Sequence, residues 1–173
     1  MTYRALVVTA SNRAAAGVYE DRGGPLIADG LTRLGFTVDG PRVVPDGDPV
    51  EAALRTGAED GYDVVVTTGG TGFTGHDVTP EALEPLFDKR MDGFSALFHQ
   101  ISFGTIGTST IQSRATGGVA NATFIFVLPG SPGACRDAWD GILKAQLDYR
   151  HMPCNFVEIM PRLSEHLKRG AAG

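Results

Sequence analysis

The 173-residue sequence predicts an α/β sandwich with a mostly parallel central sheet. Two observations carry that expectation. Apolar, β-branched runs at Ala5–Thr9, Asp63–Thr68 and Thr123–Leu128 have the continuous character of strands buried on both faces. Segments of helical composition alternate with them, as the crossovers of a parallel sheet require.

Ala5–Thr9 reads as the first strand, followed by a loop of small residues from Ser11 to Gly17. Leu26, Ile27, Leu31 and Leu34 recur at helical spacing, and Gly35 is placed to end that helix. Phe36–Val44 reads as a second strand. Val50–Glu59 reads as a short helix capped by Asp48, with Pro49 in its first turn and Glu51 three residues after the cap. Asp63–Thr68 is the strongest strand in the chain. Thr79 is placed to cap the next helix, because Pro80 then falls at the first position, where a missing N–H costs little. Phe94–Phe103 reads as a helix, and the alternation in Thr108–Ala115 suggests a half-exposed strand. Thr123–Leu128 is a further strand, broken by Pro129–Gly133, and Ala134–Leu147 a closing helix. Residues 1–160 are expected to form one domain, with 161–173 a partly disordered tail, frayed from Lys168.

A formal net charge of −5 without a basic stripe argues against a nucleic-acid binder, since phosphate counterions have nothing to displace them. No segment approaches the eighteen or so apolar residues of a membrane span. The N-terminal stretch reads as a strand rather than a signal peptide. Cys135 and Cys154 form no metal-ligand spacing with the four histidines and are too few for a disulfide scaffold, which suggests a cytoplasmic protein.

The chemistry points to Gly69-Gly70-Thr71-Gly72, directly after the strongest strand. Ligands of open α/β sheets sit outside the carboxyl ends of strands. Glycines there allow positive φ and bring main-chain N–H groups close to an anion. The spacing is neither GxGxxG nor GxxxxGK[ST], so a Walker-type loop is rejected. A plain strand-to-helix turn is the competing reading, with Asp77 serving only the following helix N-terminus. Asp46, in Val43-Val44-Pro45-Asp46-Gly47-Asp48, occupies the equivalent place after the second strand; a turn-stabilising aspartate is the bland alternative. If both strands end on one rim, Asp46 and Asp77 converge, and two hard carboxylates beside a phosphate cradle suit Mg²⁺.

Thr67–Gly72 followed by Asp77-Val-Thr-Pro-Glu-Ala82 resembles the signature of the MoaB/Mog family of molybdopterin-binding proteins. Val8–Arg13, Gly17–Asp21, Val44-Pro-Asp46, Gln100–Ser102, Gln112–Arg114 and Leu128-Pro-Gly130 keep the family's order across residues 4 to 156. The resemblance implies a three-layer α/β/α fold and a molybdopterin adenylyltransferase, which transfers AMP from ATP to the terminal phosphate of molybdopterin and releases pyrophosphate. By the same resemblance Asp46 and Asp77 are the essential pair and place Mg²⁺. Thr68 and Gly69–Gly72 hold the substrate, and Ser11, Ser102 and Ser113 line its pocket. The partners implied are molybdopterin and ATP, further copies in a homotrimer or hexamer, and the molybdate-insertion protein as recipient of the product. Two features favour a rival reading, a non-catalytic molybdopterin carrier or scaffold of the same pathway. Val127 stands where many adenylyltransferases of the family have Asn, and the C-terminal half, from Gly107–Arg114 to Arg150–Phe156, is of the MoaB kind. Arg13, Arg22 and Arg114 lie near pocket motifs, with exposed surface roles the alternative. His76 is not promoted to a general base, because a phosphate nucleophile is already ionised near neutral pH.

Overall fold

The computed structural model describes residues 2–166. Along the chain come β1 (Arg4–Ala10), α1 (Asn12–Ala15), α2 (Gly23–Arg33), β2 (Thr37–Val44), α3 (Asp48–Glu59), β3 (Val64–Thr68), α4 (Thr79–Leu83), β4 (Lys89–Arg90) and α5 (Asp92–Ile106). They are followed by β5 (Thr116–Ala120), β6 (Thr123–Leu128), α6 (Pro132–Ala138), α7 (Lys144–Gln146) and α8 (Phe156–Ile159). Six strands form one sheet in the order β2-β1-β3-β6-β5-β4. The first four run parallel; β5 and β4 pair antiparallel at one edge. This is the mostly parallel sheet that the apolar runs predict, covered by helices on both sides.

Strand periodicity sorts the core into two layers. Ala5 and Val7 of β1, Val64 and Val66 of β3, and Phe124, Phe126 and Leu128 of β6 pack with Ile27, Leu31, Phe94, Phe98 and Trp139 from the α2, α5 and α6 side. Leu6, Val8, Val65, Ile125 and Val127 pack on the opposite face with Val50 and Leu54 of α3 and Leu83 of α4. Because both faces are buried, a one-residue slip in register would exchange the two sets, so the register is fixed by packing. That register aligns the carboxyl ends: Ala10 pairs Val44, Thr9 pairs Thr68, and Thr68 pairs Leu128.

Several expectations are corrected. Thr108–Ala115 is not a strand. α5 runs on to Ile106, Gly107 turns it at φ +60, and Gly107–Gln112 forms a 3-10 helix. The strand is the next segment, Thr116–Ala120, which contains Gly117-Gly118. A Cβ on Gly118 would meet the Lys89 carbonyl oxygen at 2.5 Å and the Phe87 ring at 2.8 Å, so the glycine lets β4 and Phe87 approach the strand. Asp48 does not cap α3; Gly47, at φ +99, holds the cap position and Asp48 is the first helical residue. Thr79 likewise lies inside α4, behind Val78. The loop after β1 contains the short helix α1, capped by the Ser11 hydroxyl, which accepts the Ala14 N–H at 3.1 Å. The closing helix begins at Pro132, capped by Ser131, and widens into a π-helical turn at Trp139–Leu143. The frayed tail expected from Lys168 lies outside the described residues.

Candidate functional site

At the carboxyl rim β1 leads away to β2 on one side, while the parallel neighbour of β3 on the other side is β6. The crevice outside such a divergence is where open α/β sheets place ligands. Here it holds a cavity of about 410 Å³ lined by Ser11, Asn12 and Arg13 after β1, Asp46 after β2, Gly69–Gly72 after β3, and Thr74, His76 and Asp77 before α4. Its size is that of a small-molecule site.

Asp46 and Asp77 therefore face one cavity from separate loops, and the glycine loop passes between them. Gly69 and Gly70 have φ of +88 and +71. A Cβ on Gly70 would stand 3.3 Å from Asp46 Oδ1, and one on Gly72 would stand 2.8 Å from Asp77 Oδ2. The loop is glycine partly because side chains there would occupy the space of the two carboxylates. The Gly69 N–H donates to the Leu128 carbonyl at 2.9 Å, whereas among the described residues the amides of Gly70 and Thr71 meet no protein acceptor. Thr79 ties the loop from behind: its hydroxyl donates to the Gly69 carbonyl at 3.0 Å and its N–H to the Gly70 carbonyl at 3.1 Å.

The two acids differ in setting. Asp46 Oδ2 accepts the Asn12 N–H at 3.3 Å, and the Asp46 N–H donates to Asn12 Oδ1 at 2.9 Å. Asp46 Oδ1 is buried and has no hydrogen-bond partner. Burial raises its pKa above the ordinary 3.8; the Asn12 hydrogen bond opposes this, and the charge of Asp77 adds to it. At Asp77 burial also acts upward, but hydrogen bonds from Thr74 outweigh it, helped by the Gly72 amide and by Arg114, and the pKa falls. The Thr74 N–H and hydroxyl donate to Asp77 Oδ2 at 3.0 and 2.7 Å.

The Asp46 shift fixes a sign. A carboxyl raised on folding favours its protonated form, so its stabilising contribution is complete below the unfolded pKa and is lost as pH rises through the folded one. Asp46→Asn, which mimics the protonated group, is therefore expected to raise the thermal midpoint at pH 7. The gain should disappear as pH falls below about 4. Midpoints measured from pH 3 to 8 check this, and an unchanged or lower midpoint at pH 7 contradicts the burial account.

Asp21 is a third carboxylate lining the cavity. Its Oδ1 accepts the Gly24 N–H at 3.0 Å and its Oδ2 the Thr9 hydroxyl at 2.7 Å, which anchors the start of α2 to the end of β1. Sequence reading missed that role because Asp21 sits twelve residues from Thr9, and nothing local reveals the pairing. Arg13 lies at the rim with its guanidinium 5.3 Å from the Tyr19 ring centroid. Thr68 is buried at the end of β3, donating to the Thr9 hydroxyl at 3.4 Å. Ser102 and Ser113 do not line this cavity. Ser102 is on the buried side of α5, and Ser113 borders a separate depression with His99 and Arg114. Val127 is fully buried in the layer against α3 and α4, beside Thr67, so it touches the core rather than the cavity. Among the described residues no cluster of three or more His, Cys, Asp or Glu is arranged to hold a metal alone. Two carboxylates nonetheless suffice for Mg²⁺ when phosphates and waters complete its shell. The unpartnered Asp46 Oδ1 is an oxygen of the right kind.

A three-layer α/β sandwich with a cavity at its carboxyl rim defines the class of open-sheet α/β proteins that bind small molecules there. The family described as "Probable molybdopterin binding domain" matches residues 6–149. The chain belongs to that family, within the MoaB/Mog group of molybdenum cofactor biosynthesis proteins. Molybdenum cofactor biosynthesis protein B of Escherichia coli K12 is 45% identical over 155 residues, which cover 88% of this chain and 90% of that protein. The molybdopterin adenylyltransferase of Pyrococcus furiosus is 40% identical over 152 residues, 84% of this chain and 88% of its own. The molybdopterin biosynthesis Mog protein of Mycobacterium ulcerans superposes with a TM-score of 0.81 at 34% identity, over 94% of this chain and 99% of that one.

Proposed function

We propose that this chain is an ATP- and Mg²⁺-dependent molybdopterin adenylyltransferase. The observation that carries the proposal is the buried, unpartnered Asp46 Oδ1 in a cavity shared with Asp77 and the glycine loop. A carboxylate oxygen kept out of water without a donor is costly unless a cation meets it. Asp46 and Asp77 would hold Mg²⁺, which when bound supplies charge neutralisation for the phosphates.

The free amides of Gly70 and Thr71 hold an anionic group of the substrates, and Arg13, with no acidic partner among the described residues, meets another at the rim. An oxygen of the terminal phosphate of molybdopterin forms the new bond to the α-phosphorus of ATP as the bond to the β-phosphate oxygen breaks and pyrophosphate leaves. The nucleophile needs no deprotonation, so the chain's task is alignment and charge balance. The name of the Pyrococcus relative agrees with this reading.

Supplying the purified chain with molybdopterin, ATP and magnesium is expected to yield pyrophosphate and adenylylated molybdopterin. Binding of molybdopterin without turnover would establish the carrier reading instead. That alternative rests on the MoaB-like C-terminal half of the sequence.

The proposal extends to a single domain over residues 1–160, in keeping with the family match, and to a homotrimer or hexamer. Leu97, Phe103, Ile106 and Ile111 are exposed on α5 and the 3-10 helix after it, Ile111 by 72%, and apolar side chains grouped in this way are usually covered by a partner. Light scattering that gives a monomer mass rejects the assembly. A cytoplasmic setting is supported by two free cysteines. Among the described residues no helix is long and apolar enough to cross a membrane. Hand-over of the product to the molybdate-insertion protein belongs to the same proposal.

A further inference from the structure

Arg114 is not among the residues that line the cavity and borders the separate depression with His99 and Ser113. Its Nε donates to the carbonyls of Thr71 at 3.2 Å and Gly72 at 3.0 Å. Its Nη2 donates to the carbonyls of Gly72 at 2.7 Å and Asp77 at 3.0 Å. Its Nη1 pairs with Glu81, its guanidinium lies 5.4 Å from the Phe73 ring centroid, and its own N–H donates to the Thr71 carbonyl at 3.0 Å. A side chain so occupied is neither a solvated surface arginine nor free to bind phosphate.

Peptide geometry turns these contacts into an instruction. In a trans peptide unit the carbonyl and the N–H point in opposite directions. With the Thr71 and Gly72 carbonyls drawn toward Arg114, the N–H groups of Gly72 and Phe73 must face away from it. The Gly72 amide is directed at the Asp77 carboxylate. Position 72 must be glycine for space, since a Cβ there would stand 2.8 Å from Asp77 Oδ2. Glycine also makes both adjoining peptide planes easy to flip. Flipping the Thr71–Gly72 unit would aim a carbonyl oxygen at the Asp77 carboxylate.

We propose that Arg114 is a positioning residue: it latches the Thr71–Gly72 and Gly72–Phe73 peptide groups so that the Gly72 amide, not the Thr71 carbonyl, meets Asp77, which holds the loop in the form that presents the Gly70 and Thr71 amides to the cavity. The assignment rests on Gly69–Gly72 being the loop that holds the anionic ligand. It also explains why the residue is arginine. Lysine carries the same charge on one nitrogen and cannot serve three carbonyls from a planar fork.

The test uses the isotopically labelled full chain, reading the amide NMR signals of Gly72 and Phe73 and measuring the affinity for inorganic pyrophosphate by calorimetry. In Arg114→Gln, the Gly72 and Phe73 signals are expected to shift or split while those of Val64–Thr68 stay in place. Pyrophosphate affinity should fall by roughly tenfold, because a loop released from Arg114 no longer fixes the Gly70 and Thr71 amides; that is the equivalent of one or two hydrogen bonds. Arg114→Lys is expected to behave like the Gln variant. Should Arg114→Gln fail to fold, the Lys variant carries the test, because it keeps the charge and loses the fork. Unmoved Gly72 and Phe73 signals overturn the proposal. So does Lys restoring wild-type affinity, which would make charge alone sufficient. If pyrophosphate fails to bind the unmodified chain, that counts against the adenylyltransferase reading, and the amide signals still decide the role of Arg114.

Discussion

Replacing Asp77 with Asn is expected to slow AMP transfer to molybdopterin by roughly a hundredfold or more, with the thermal midpoint moving only a few degrees. The two effects separate because the amide preserves shape and removes charge. Thr74 can still donate its N–H and hydroxyl to the side-chain oxygen, and the Asp77 carbonyl that Arg114 grips is main chain, hence unaffected. What is lost is one of the three carboxylate charges lining the cavity. Nothing nearby replaces it: Asp21 has both oxygens engaged, by Gly24 and Thr9. Initial rates with molybdopterin, ATP and magnesium measure the effect. A variant that turns over at the wild-type rate removes Asp77 from the chemistry and leaves it as a brace for the Thr74 turn.

Gly69→Ala should be the most damaging single-methyl change in the loop. The position combines φ +88 with a Cβ direction aimed at the Ala10 carbonyl oxygen, and Gly130 packs on its other side, its own Cβ direction 3.3 Å from the Gly69 Cα. Every neighbour is backbone at the end of β1 or just after β6, so no flexible side chain can give way. Left-handed strain and the backbone clash together are expected to cost on the order of 3 kcal/mol. For a chain of this size that corresponds to a fall of roughly 10 °C in the thermal midpoint. Gly75→Ala, in the same loop but with open space around it, supplies the control and should change little. Equal effects at the two positions would refute the steric account.

The features legible in the sequence were those written in short-range pattern. β1, β3 and β6 announce themselves as apolar runs because both faces of the sheet are buried. Asp46 and Asp77 stand out because each sits in a loop between a strand and a helix, and Asp46 has no obvious local duty. Pairings across the fold were not legible. Arg114 gave no sign of its grip on carbonyls some forty positions away, and its guanidinium resembled any other near a pocket motif. The strand at Thr116–Ala120 was missed because the reason for its glycine at 118, the close approach of Lys89 and the Phe87 ring, comes from another part of the chain. Ser102 and Ser113 share the family's motifs, yet the path of α5 and the 3-10 helix carries them away from the cavity. Local pattern marked where the strands end; tertiary contact decided which side chains those ends collect.

The two thiols differ enough to be useful at the bench. Cys135 is fully buried against Gly23, and burial pushes its thiol up to about 12, so almost no thiolate forms at neutral pH. Cys154 is exposed and lies outside the residues that line the cavity. A maleimide dye should therefore mark each folded copy once, at Cys154, and report on assembly or docking without touching the cavity.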